Sequence, residues 1–105
     1  MRKMNAQYLS ELEAVMLYVR SKYPYRQYDG SPLSKQRSNE LYAIEKLIGR
    51  CNTYPNEDPI NITWDLIFST HLMFRKCKKE NRIMFYDQLH VYIDIYKLLK
   101  EVNGL

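Results

Sequence analysis

The chain has 105 residues, 46% of them apolar, with only three glycines and four prolines, and a formal charge of +4 from 16 Lys and Arg against 12 Asp and Glu. A single domain of this size can bury roughly two thirds of the surface its unfolded chain exposes, and the composition excludes a disordered chain. The longest apolar run, AVMLYV, is far too short to span a bilayer, and the charge excess is too modest to indicate nucleic acid by composition alone.

Taken in chain order, MRKMNAQYLSELEAVMLYV begins with basic residues like a secretory signal, but Glu11 and Glu13 interrupt what would be its apolar region, and the expected location is the cytoplasm. Leu9, Leu12, Met16, Val19 and Tyr23 alternate by three and four, which predicts a first amphipathic helix. The stretch YPYRQYDGSP, residues 23–32, then leaves that helix at Pro24 and turns at Asp29 to Pro32. Tyr25, Arg26 and Tyr28 have no core role in this reading. With Arg20 and Lys22 they supply the mixture of rings and cations that single-stranded nucleic acid favours, as the alternative to a packing linker.

Ser31 and Pro32 suit an N-cap and first helical residue, and Leu41, Ile44, Leu47, Ile48 and Cys51 continue an apolar face, predicting a second helix to about Cys51. The same device at Asp58 and Pro59, or slightly later at Thr63, opens a third, with core positions Ile67, Thr70, His71, Phe74 and Cys77 and an end at Asn81. In the last segment HVYIDIY alternates like a strand. Phe85, Leu89, Tyr92, Tyr96 and Leu99 nevertheless hold helical spacing for four turns, with Lys97 and Lys100 near the C-terminal dipole end and Gly104 as a cap, so a helix is predicted. The expectation is a single all-α domain over 1–105, a compact and mostly antiparallel bundle of about four helices. A hairpin of the second and third helices would hold Cys51 and Cys77 roughly 27 Å apart at ~1.5 Å per residue, so they are read as two small buried thiols rather than a disulfide.

The third and fourth predicted helices carry more apolar surface than one core face needs. Trp64, Phe68, Leu72, Arg75 and Lys79 follow one another on the second side of the third helix, and Met84, Val91, Ile95 and Leu98 on that of the fourth. Either both helices are central and the chain covers them itself, or these stripes form an interface with a partner protein or a second copy of this chain. In the interface reading its residues are Trp64, Phe68, Leu72, Arg75, Val91, Ile95 and Leu98, of which the purely apolar Val91, Ile95 and Leu98 suit a homodimer.

RKCKKENR, residues 75–82, is the densest charge cluster. Cations at a helix C-terminus offset the macrodipole, which explains it without a ligand. The alternative is nucleic-acid contact by Arg75, Lys76, Lys78, Lys79 and Arg82, together with Tyr25, Arg26 and Tyr28; of these, Arg75, Lys78, Lys79 and Arg82 would share a face if the helix persisted through Asn81.

Chemistry is sparse. The sequence has no Gly-rich phosphate loop, no GxSxG elbow, no HExxH and no paired CxxC. Asp87, His90 and Asp94 share a face of the fourth predicted helix, but a dinuclear helical site needs matching carboxylates from other helices, so they are read as a solvated polar face. His71 is read as a hydrogen-bonded core histidine. No catalytic residue, metal site or cofactor is expected. The functional expectation is a non-enzymatic helical protein that binds and regulates, or inhibits, another protein; the alternative is a basic helical nucleic-acid-binding protein. The richness in Tyr, Lys, Asn and Ile is compatible with an accessory protein of an AT-rich bacterium or its phage.

Overall fold

A computed structural model describes residues 32–102, which form three α-helices joined by short connections, with no strand among them. The fold is all-α. The predicted helix over 9–23, the tyrosine-rich stretch and Gly104 lie outside the described residues. None of the described helices is long and apolar enough to cross a membrane.

Helix α1 spans Pro32–Thr53, starting on the proline whose missing N–H costs nothing in a first turn. After it, Tyr54 to Glu57 make a tight turn in which the Glu57 N–H donates to the Tyr54 carbonyl at 3.1 Å, with Pro55 at the position whose φ the turn requires. Helix α2 spans Pro59–Lys76 and is capped by Asp58, whose carboxylate accepts from the Ile60 N–H at 2.9 Å. That decides between the two predicted starts. Thr63 lies inside the helix, fully buried, and its hydroxyl donates to the Pro59 carbonyl at 2.7 Å.

Helix α2 stops five residues earlier than the sequence suggests. Cys77 and Lys78 are extended, the Cys77 N–H closes the helix on the Met73 carbonyl at 2.9 Å, and Lys79–Asn81 form one turn of 3-10 helix. Neither Gly nor Pro marks this break. It follows from the need to reverse direction, because α3, Arg82–Val102, folds back along α2. Trp64 in the first third of α2 stacks at 5.5 Å and 41° against Tyr96 in the last third of α3, so the two helices run antiparallel. The strand-like alternation of HVYIDIY is overridden by a continuous helix of 21 residues.

Helix α3 packs along both others, while α1 and α2 touch each other less. The α1 to α3 seam is fixed near its start by the Asn39 amide, which donates to the Asp87 carboxylate at 3.0 Å, so these two helices run parallel. Asp87 is only 1% exposed, and such a carboxylate is tolerable only when hydrogen-bonded. Further along the seam Tyr92 is fully buried and its hydroxyl has no hydrogen-bond partner. Burial pushes its pKa up to about 12, with Tyr42 adding to the effect and Arg50 opposing it.

The core lies mainly between α2 and α3. Ile60, Ile62, Trp64, Leu66, Ile67 and Phe74 pack against Tyr86, Leu89, Tyr92, Ile93 and Tyr96, whereas among its described side chains α1 contributes only Ala43 and Leu47 as buried residues. Of the predicted core positions on α2 and α3, Phe85 and Leu99 are half-buried at its edge.

Candidate functional site

Helix α1 overturns one expectation and supplies the main candidate surface. Its five predicted core positions divide: Leu47 is buried and Cys51 half-buried, but Leu41, Ile44 and Ile48 are 55%, 39% and 54% exposed. The inward direction is taken by Ala43 and Leu47, one turn apart. A helix advances 100° per residue, which turns Leu41, Ile44 and Ile48 well away from that pair onto one outer ridge with Arg37 at its start. Exposed Tyr42 lies about 120° round the helix from that ridge, near Tyr92 of the seam, and Tyr54 follows the end of the helix. Sequence periodicity detected apolar residues on α1 but could not tell which of two adjoining stripes a neighbour covers.

The interface expected on the second faces of the other helices is largely withdrawn. Trp64 is 3% exposed and belongs to the core against Tyr96, so it is not the centre of an open surface. The helix is central enough that the first residue of its second stripe is enclosed within the same chain. Phe68 and Leu72 are half-buried, and Arg75 and Lys79 of that row are exposed. On α3, Val91 and Ile95 are half-buried and pack against the core, Met84 is half-buried, and only Leu98 stands out, at 58% exposure.

The basic run is also rearranged. Arg75 and Lys76 occupy the last turn of α2, Lys78 is extended, Lys79 begins the 3-10 turn and Arg82 begins α3. The common helical face expected for Arg75, Lys78, Lys79 and Arg82 does not form, because the helix ends before it. The four residues still gather at one end of the molecule, with Lys76. All are exposed except Arg82, which is half-buried with its Nε enclosed and unpaired. Tyr25, Arg26 and Tyr28 lie outside the described residues.

Asp87, His90 and Asp94 do not act as a set. Asp87 points into the seam with α1, which corrects its reading as a solvated residue; exposed His90 and Asp94 pair at 3.2 Å, and His90 stacks on Tyr86 at 6.4 Å. Among the described residues no group of three His, Cys, Asp or Glu could hold a metal ion. His71 is half-buried, not core, and lies 6.4 Å from the Phe74 ring; burial lowers its pKa and the Arg75 charge lowers it further, favouring the neutral imidazole. Both cysteines are free and half-buried rather than buried, and the Cys77 thiol donates to the Phe74 carbonyl at 3.2 Å.

No protein-family model, no curated protein and no solved structure matches this chain.

Proposed function

We propose that this chain is a non-enzymatic binding protein, an all-α bundle of about four helices with the predicted helix over 9–23 as its further member, which docks on another protein and thereby regulates it. The observation that carries the reading is the outer ridge of α1, where Leu41, Ile44 and Ile48 remain in water at helical spacing. Covering what is still exposed of each would contribute about 1 kcal/mol at ~25 cal/mol per Å². A ridge of this kind matches the side chains that an amphipathic helix lays into an apolar groove. In a symmetric contact with a second copy the same ridge would have to meet itself, ridge on ridge, whereas this ridge calls for a groove. The occupant is therefore a different protein offering a groove, with Arg37 at the end of the contact.

The test compares the protein with a Leu41→Asp, Ile48→Asp double variant of unchanged melting temperature. Affinity capture is expected to retain at least one protein stoichiometrically on the first and not on the second, and each purified protein alone is expected to sediment as a monomer. Identical retained proteins, or self-association abolished by the double variant, would overturn the proposal.

A further inference from the structure

The other exposed surface of marked character is the cationic end where α2 passes into α3. Arg75, Lys76, Lys78, Lys79 and Arg82 fall within eight residues that hold one carboxylate, Glu80. The start of α1 reaches the same end: Lys35 and Asn39 face Glu80, Asn81 and Met84 across a half-open cleft of about 410 Å³. A sixth cation, from another helix, thus borders the cluster.

Stabilisation of the fold accounts for only part of this arrangement. Arg75 and Lys76 lie in the last turn of α2, where the negative end of the helix dipole favours them. Arg82 opens α3, where the dipole end is positive and a cation is disfavoured, while Lys78 and Lys79 lie on the connection beyond the last turn of α2. Lys78 holds the N-cap position of the 3-10 turn and makes no side-chain cap hydrogen bond, although Ser, Asp or Asn would cap there. α3 has no acidic residue in its first turn to offset these charges, and no described carboxylate forms an ion pair with any of the five cations. Five cations gathered at one end, none in an ion pair with a described carboxylate, make a surface that an anion from outside the chain would match.

We infer that this end of the bundle is a docking surface for the phosphodiester backbone of nucleic acid, bound without sequence preference. Residues 75–82 include no aromatic or large aliphatic side chain, so the run has neither an aromatic anchor of the kind that centres many protein interfaces nor an apolar face of its own to insert into a membrane surface; Met73 and Met84 border it. Its lysines are flexible point charges, suited to phosphate oxygens at variable spacing. The surface is separate from the ridge of Leu41, Ile44 and Ile48, so this inference does not depend on the protein-binding proposal.

Fluorescence anisotropy of labelled duplex and single-stranded DNA, titrated with the full chain across a salt series, tests it. Engagement of four or five phosphates predicts binding at low salt with log K falling against log salt with a slope of about −4 on duplex. Lys78→Gln with Lys79→Gln is expected to reduce that slope by about 2 and to weaken binding to every sequence alike. Lys100→Gln, at the far end of α3, is expected to bind as the unmodified chain does. Absence of binding at low salt, a slope unchanged in the Lys78, Lys79 variant, or equal affinity for phosphatidylserine vesicles would overturn the assignment. The single-stranded arm separates simple backbone contact, weaker there than on duplex, from ring stacking, which would reverse the order and overturn the backbone-only reading.

Discussion

Helices α2 and α1 begin alike, each with a proline in its first turn and apolar residues three and four apart, yet they end in different environments. From Ile60 to Ile67, α2 buries six of its eight side chains, including Ile67 of one apolar stripe and Trp64 of the other, whereas over its described side chains α1 buries only Ala43 and Leu47. The difference lies in the neighbours and not in the periodicity. The α2 helix lies along α3 with Trp64 against Tyr96, while α1 meets α3 along a narrow seam and has little contact with α2. An amphipathic pattern states that a face exists; the number of elements around the helix decides how much of it disappears.

The sharpest way to break this comparison is to truncate one side chain from each helix. Trp64→Ala should cost about 3–5 kcal/mol, as removal of a buried large aromatic does, while Ile48→Ala on the outer ridge should stay within about 0.5 kcal/mol of the parent. Urea unfolding followed by circular dichroism reads both, and equal losses would mean that the ridge is covered in solution. A smaller effect is expected at the seam itself. Asn39→Leu removes the amide that donates to buried Asp87 and should cost about 1–3 kcal/mol in the same assay; no loss would show that Asp87 does not depend on α1. The smallest change is a gain. Gly49 lies inside α1 and a Cβ added there meets nothing within 4 Å, so Gly49→Ala should stabilise by about 0.5–1 kcal/mol, and a loss would mean that this part of α1 is not a plain exposed helix.

Much of this architecture was legible from local chemistry. The Asp58 and Pro59 start of α2 follows from capping alone, and the helical spacing of Leu89, Tyr92 and Tyr96 outweighed the strand-like HVYIDIY. What was not legible depended on partners distant in sequence. The end of α2 at Lys76 carries no breaker residue, and only the reversal into α3 requires it. Asp87 reads as a surface acid until Asn39, 48 residues earlier, arrives beside it. The candidate surfaces moved for the same reason. Trp64 has the composition of an interface anchor, but its partner proved to be Tyr96 of the same chain, and the ridge left open instead carries Leu41, Ile44 and Ile48, whose spacing alone marked them as core. The cationic run kept its residues but lost its common face, since that face required a helix continuing through Asn81.

Trp64 is the chain's one tryptophan, and its enclosure against Tyr96 makes the protein's intrinsic emission a local signal. An indole shielded from water emits to the blue and receives excitation from a tyrosine held this close, so the spectrum reports the junction of α2 with α3 and little else. Detachment of α1 would leave that emission almost unchanged while far-ultraviolet ellipticity fell. The two optical transitions would then separate, and their separation would measure how independently the outer helix comes away from the inner pair.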